Sequence, residues 1–231
     1  MIEKDREFFI NYPVFLRYKT YFDFCRLKWV SYLRGFNINE RIVEIPFAIQ
    51  CLRDFPSSAT ILDIGCSESL FSIEAASLGY NMTGIDLRLY PYEHPNFSFF
   101  QGDILNLPFQ DQSFDVVFSI SALEHIGLGA YNDTIVEKDG DKEAIKQIIR
   151  VLKKNGTFIL TIPYGMPKEH SYRIYDSSRL EWMLKNFDIK VIKYFTQVRK
   201  DNRKSYWLEC AQTELMKSGD HGVCLIKALL K

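Results

Sequence analysis

The 231-residue sequence has no excess of either charge: 29 Lys and Arg balance 29 Asp and Glu. A chain balanced in this way is not drawn as a whole toward nucleic acid or an acidic membrane, so no nucleic-acid partner is expected. Apolar runs long enough to cross a bilayer are missing, and residues 1–7 lack an apolar signal core, so no membrane insertion is expected. Paired cysteines are missing too. Cys25, Cys51, Cys66, Cys210 and Cys224 are odd in number, scattered and without CxxC spacing. That pattern points to thiols in a reducing cytoplasm and away from a zinc site. Low-complexity tracts and internal repeats are also absent, while 47% of the residues are apolar. A folded chain with one α/β domain and an N-terminal extension is therefore expected.

What is present is concentrated in residues 60–86, which read as strand, turn, helix and strand. Ile61-Leu62-Asp63-Ile64 is a short apolar run suited to a strand buried on both faces. Gly65-Cys66-Ser67-Glu68-Ser69 is a turn of mostly small residues, and 70–78 has helical periodicity closed by Gly79. Asn81-Met82-Thr83-Gly84-Ile85 returns as a strand ending on Asp86. An acid at that point of a βαβ unit is placed to accept hydrogen bonds from a ribose diol, and the small turn lets backbone approach a ligand. A dinucleotide fingerprint needs Gly at the first, third and sixth turn positions, which are Gly65, Ser67 and Leu70 here. Only the first fits, so a pyrophosphate is a poor match and S-adenosylmethionine, which has none, a better one.

Further strands are read at 96–101, at Phe114-Asp115-Val116-Val117-Phe118-Ser119 and at 157–162, with an amphipathic helix over 142–153. Ser177 or Ser178 is expected to cap a further helix through Leu184, and 189–198 and 222–230 are expected as an antiparallel edge pair. Upstream, 8–37 is dense in aromatic and basic side chains, and reads as a helix or lid. A helix containing Glu40, Arg41 and Glu44 is expected to be interrupted or kinked at Pro46, with its charges near the cofactor's amino-acid end as an ordinary surface ion pair. Glu124 and His125 follow the fourth strand, at the carboxyl edge where open α/β sheets bind ligands. An imidazole there suits proton removal from an acceptor, or a place in the pocket wall. The acids Asp133, Glu137, Asp139 and Asp141 read as a solvated loop rather than a metal site.

The run Leu62-Asp63-Ile64-Gly65-Cys66-Ser67, with Gly84-Ile85-Asp86, Gly102-Asp103-Ile104 and the strand through Asp115, resembles the class I S-adenosylmethionine-dependent methyltransferases. Ser67 and Ser69 depart from it, standing where that family usually has Gly. The resemblance implies a Rossmann-like seven-stranded sheet with the last strand antiparallel. Its domains would be 1–50, a helical extension or lid, and 51–231, the cofactor-binding methyltransferase domain. It implies S-adenosyl-L-methionine as cofactor, at Asp63, Gly65, Cys66, Ser67, Asp86, Leu87, Asp103, Ile104 and Ser119. Asp103 would accept from the adenine amino group. Gly127-Leu128-Gly129-Ala130-Tyr131-Asn132-Asp133, with Ile162-Pro163-Tyr164-Gly165 and Arg173-Ile174-Tyr175-Asp176, resembles a narrower bacterial branch suspected of acting on sugars or surface-glycan precursors. The reaction implied is methyl transfer to a small-molecule acceptor, a sugar hydroxyl above all. Glu124 and His125 would be catalytic, and Tyr164, His170, Arg173 and Tyr175 would form the acceptor wall. The competing readings are a non-catalytic cofactor-binding partner subunit and a nicotinamide-type oxidoreductase.

Overall fold

The computed structural model describes residues 39–129, 137, 139–169, 172–201, 204–216 and 222–231. The expected extension or lid over 8–37, and also Cys25, Asp133 and His170, lie outside the described residues. By contacts the chain forms two units, Met1–Asn39 with Gln197–Tyr206, and Glu40–Thr196 with Trp207–Lys231. What is described of the first unit is mainly the end of a β-hairpin. The second holds the sheet, the cores and the candidate site.

The strands are β1 (Thr60–Ile64), β2 (Asn81–Asp86), β3 (Phe97–Gln101), β4 (Phe114–Ile120), β5 (Leu152–Tyr164), β6 (Lys168–Glu169), β7 (Arg173–Ile174), β8 (Phe187–Asp201), β9 (Lys204–Cys210) and β10 (Gly222–Leu230). The α-helices are α1 (Arg41–Leu52), α2 (Phe71–Ser77), α3 (Gly140–Val151), α4 (Ser177–Leu184) and α5 (Gln212–Leu215). One sheet runs β3-β2-β1-β4-β5-β10-β8-β9, and β6 pairs with β7 separately. The pairs among β1 to β5 are parallel, whereas β10 is antiparallel to both β5 and β8. The sheet thus has the Rossmann-like methyltransferase architecture, with eight described strands where seven are expected. The addition is β9, a segment in which the sequence analysis places no strand.

The strand order reverses beside β1, which sits between β2 and β4. Ligands bind at such switch points, outside the carboxyl ends of the strands. Ile61, Leu62 and Ile64 are buried because both faces of the sheet are covered. One cluster gathers Leu62, Val117, Phe158 and Ile226 with Ile145 and Ile148 of α3 and Met183 of α4. The other gathers Ile61, Phe118 and Ile159 with Phe47 and Leu52 of α1 and Phe71 of α2. The Phe71 and Phe118 rings meet at 4.7 Å, a contact worth about 0.5–1.5 kcal/mol beyond area burial. In α3, Ala144, Ile145, Ile148 and Val151 recur at helical spacing and are all buried.

Local structure departs from expectation at the Asp176 cap and at Asp141, and of the interruption or kink expected at Pro46 the interruption is absent. Helix α1 runs through Pro46 without interruption. Proline at the sixth position removes the N–H that would bond the Ile42 carbonyl, and burial of Phe47, Ala48, Cys51 and Leu52 offsets that loss. Helix α4 is capped one residue early: the Asp176 carboxylate accepts from the Arg179 N–H at 2.9 Å. Asp141 is not solvated. It is fully buried and takes Arg179 Nε and Nη2 at 2.9 and 2.7 Å.

Candidate functional site

The first turn of the βαβ unit is set by Gly65, which has φ +74°. Its N–H donates to the Ile85 carbonyl at 2.8 Å. A Cβ added there would lie 2.4 Å from Ala122 Cβ, so only glycine lets the turn after β1 lie against the loop after β4. A pocket opens at this junction, lined by Gly65, Asp86, Leu87, Asp103, Ile104 and His125 among others. Asp86 is 8% exposed at the end of β2. Its Oδ2 accepts the Ser67 N–H at 3.0 Å, and its Oδ1 accepts the Arg88 N–H and Nε at 2.9 and 3.3 Å. An ionised carboxylate has about four acceptor positions, so three are used and one remains. Arg88 also donates to Glu68 at 2.6 Å, joining the loops after β1 and β2. Asp103 caps a 3₁₀ turn through the Leu105 N–H at 2.9 Å and keeps its second oxygen outside that bond.

Four residues expected at the cofactor do not line this pocket. Asp63 is buried and its Oδ2 accepts from the Ser72 hydroxyl at 2.7 Å, which ties β1 to α2. Burial pushes its carboxyl up to about 7. Cys66 points inward against Gly84, where an added Cβ would meet its Sγ at 2.8 Å. Burial raises its thiol strongly, so it is not a nucleophile. Ser67 holds Asp86 with its amide and the Arg88 carbonyl with its hydroxyl. Ser119 is fully buried inside β4, and Ser121 and Ala122 line the pocket instead. A strand residue between two neighbours faces the core, and the chain turns outward only after Ile120.

The sequence reading places Arg41 and Glu44 near the site, but as a surface ion pair. In the structure Glu44 is fully buried. Its Oε2 accepts Arg41 Nη1 at 3.1 Å and its Oε1 accepts the Ser121 hydroxyl at 2.5 Å. Arg41 Nη1 also donates to the Ile120 carbonyl at 2.9 Å. Ser121 adopts φ +43°, and its N–H donates to Thr161 Oγ1 at 3.0 Å. A left-handed non-glycine residue at a site edge persists only when its surroundings hold it, and Glu44 and Thr161 do so here. Burial holds the Glu44 carboxyl above its ordinary range despite Arg41 and the Ser121 and Thr161 hydrogen bonds. Glu124, 2% exposed in the following 3₁₀ turn, is pushed up to about 8, also by burial.

A second pocket adjoins the first and shares Arg41, Glu68, Ser121 and His125 with it; Glu124, Pro163, Tyr172 and Trp207 are among its other walls. The expected acceptor residues are elsewhere. Tyr164, fully buried, shares hydrogen bonds with Ser177 Oγ at 2.9 Å and Gln212 Nε2 at 2.5 Å. Arg173, 1% exposed, donates from Nη1 to the Ile126 carbonyl at 2.6 Å and lies 3.8 Å from Asp141. Tyr175 is fully buried. Arg173 and Tyr175 read as a wall because extended residues two apart share a side, but that side is the core. The paired carboxylate is Asp141, not the neighbouring Asp176. Tyr172 and Trp207 carried no periodic or motif signal and were missed. Among the described residues no group of three His, Cys, Asp or Glu side chains is arranged to hold a metal. Among them too, no helix is long and apolar enough to cross a membrane.

Residues 62–160 match the methyltransferase domain family. The matched segment is similar to class I S-adenosylmethionine-dependent methyltransferase domains, and that family implies S-adenosyl-L-methionine as cofactor. The pocket fits that group: one open acceptor position on Asp86, a second oxygen on Asp103, and a turn that only Gly65 can make. Among curated proteins, EEF1A lysine methyltransferase 2 of Homo sapiens is 31% identical over 117 residues, covering 46% of this chain and 48% of the human protein. The chain thus spans about half the length of that relative. Among solved structures, the 1,6-didemethyltoxoflavin-N1-methyltransferase of Burkholderia thailandensis superposes with TM-score 0.58 at 14% identity, over 82% of this chain and 79% of that one. The [4+2]-cyclase SpnF superposes with TM-score 0.56 at 15% identity, over 85% and 86%. These likenesses show the fold alone.

Proposed function

We propose that this protein transfers a methyl group from S-adenosylmethionine to a small polar acceptor held in the second pocket. The observation that carries the reading is the shared wall: Arg41, Glu68, Ser121 and His125 border both pockets, so an acceptor beside His125 adjoins the cofactor. When bound, the cofactor supplies a methyl carbon already made electrophilic by its sulfonium. The chain's own work is then to bind, to align and to manage one proton. Asp86 accepts from ribose hydroxyls, Asp103 from the adenine amino group, and the imidazole of His125 receives a proton from the acceptor. Ser121, fixed by Glu44 and Thr161, sets where His125 begins.

The finer expectation of a sugar or glycan-precursor hydroxyl draws on the rings of Tyr172 and Trp207, which suit stacking on a sugar face. Tyr164, Arg173 and Tyr175 no longer support it. The human relative is named for lysine methylation and the Burkholderia enzyme for an N1 position, which supports a nitrogen acceptor equally. Since a cyclase shares the fold, the reaction is tested directly. Calorimetry should show S-adenosylhomocysteine binding and no comparable NAD binding. Incubation of S-adenosylmethionine with acceptor panels should release S-adenosylhomocysteine. Preference for NAD would sink the reading, and binding without turnover on any acceptor would favour a non-catalytic partner subunit.

A further inference from the structure

The second pocket carries three carboxyl side chains, Glu40, Glu68 and Glu124, against one guanidinium, that of Arg41. Two of these four groups are committed elsewhere. Arg41 donates to the Ile120 carbonyl and to Glu44, and Glu68 accepts from Arg88 at 2.6 Å. Glu124 differs. It lines the pocket, is 2% exposed, and its Oε2 has no hydrogen-bond partner. Leaving a buried acceptor unmet costs on the order of 1–3 kcal/mol, and more if it is charged. The groups around it do not repair this. Glu44 and Glu40 repel a charge there, and Arg41 offsets them only in part. Arg173 Nη1 faces the Glu124 carbonyl at 3.5 Å rather than its carboxyl, and the Tyr175 hydroxyl is itself without a partner.

The wall therefore repels an anion. A neutral hydroxyl could bond one oxygen of the protonated Glu124 but would do nothing to offset Glu40 and Glu44, which oppose a charge there. A cation answers both deficits, and the faces of Tyr172 and Trp207 would favour one as well. We propose that the acceptor is an amine, which enters as its ammonium form, pairs with the Glu124 carboxylate and then gives one proton to His125, which frees the nitrogen lone pair for the methyl group. The proposal rests on the methyl-transfer reading and narrows its substrate class. It also predicts a proton count. Near pH 7 a free alkylamine is an ammonium ion and Glu124, pushed up to about 8, is mostly protonated. The carboxylate–ammonium pair holds one proton fewer, so binding releases about one proton to buffer.

The test uses the whole chain saturated with S-adenosylhomocysteine, titrated with n-butylamine and with the matched n-butanol. Calorimetry in two buffers of different ionisation enthalpy reads affinity and protons together. We expect saturable n-butylamine binding with about one proton released, no proton release with n-butanol, and loss of amine binding by at least tenfold in Glu124→Gln. Equal binding of the two probes, amine binding without proton release, or no amine binding overturns the proposal. The wild-type proton count decides even if the variant does not fold. Failure of S-adenosylhomocysteine itself to bind would instead remove the methyl-transfer reading underneath.

Discussion

Asp86 makes three hydrogen bonds with the protein yet remains at the pocket wall, so its replacement tests the cofactor site directly. Asp86→Ala should weaken S-adenosylhomocysteine binding by roughly 2–3 kcal/mol, the scale of charge-assisted contacts to a diol. Calorimetry on the folded variant checks this, and unchanged affinity would discard the assignment. His125→Ala should lower turnover about 10²–10⁴-fold while cofactor affinity stays nearly intact, as read by single-turnover rates beside a binding isotherm. Arg173 changes category. Placed at 1% exposure among the Ile126 carbonyl and Asp141, it is a structural cation. Arg173→Ala should cost about 3–5 kcal/mol of stability by leaving buried partners uncompensated, seen as a lower denaturation midpoint. At this scale the sequence was legible where a residue ends a strand. Asp86 and Asp103 follow their strands and both line the pocket. It was illegible where two distant segments meet: nothing in the spacing of Asp141 and Arg179 says they pair.

Elements were legible in proportion to how much of their pattern is local. Strands β1, β2 and β4 and helix α3 declare themselves through apolar runs and helical spacing, and Gly79 closes α2 with φ +94° as expected. Strand β9 carries Lys204, Ser205 and Glu209, and its pairing comes from a neighbouring strand rather than its own pattern. Helix α1 was expected to be interrupted or kinked at Pro46, and that it is not interrupted could not be read from the chain alone, because the burial that offsets a lost hydrogen bond is not visible there. The turn between β1 and α2 offers the cleanest test at this scale. Gly65→Ala puts a methyl 2.4 Å from Ala122 Cβ and strains a φ of +74°. It should both lower the melting temperature and abolish cofactor binding, whereas Gly79→Ala, with open space around it, should cost only its backbone strain. Equal effects of the two substitutions would show that the close approach of the loops is immaterial.

For the whole molecule, the buried acids govern how stability responds to pH. Asp63 rises from 3.8 to about 7 and Glu124 from 4.5 to about 8, in both cases chiefly through burial. Between the lower and upper values the folded chain keeps protons that the unfolded chain has released. Stability therefore falls as pH rises through that window, by about 1.4 kcal/mol per pH unit for each group, and levels off above it. Denaturant titrations from pH 5 to pH 8 should show this decline, and Glu124→Gln should reduce it to the part due to Asp63, which ends near pH 7, and be more stable than the parent at pH 8. A stability that rises over the same range would contradict both assignments. The order of the parallel strands was legible here because it follows from the resemblance to methyltransferase-type sheets, while β9 was not. The pocket's electrostatics were not, since they depend on how deeply each acid is buried.

The place of β10 has a consequence for biosynthesis. It follows every other strand in the sequence but pairs between β5 and β8. During translation, then, β8 and β9 emerge from the ribosome before the strand that joins them to the rest exists. Until residues 222–230 appear, two sheet edges stand open, and each is a template for pairing with other nascent chains. Protection of these edges until β10 docks should decide how much of the newly made polypeptide reaches its native state.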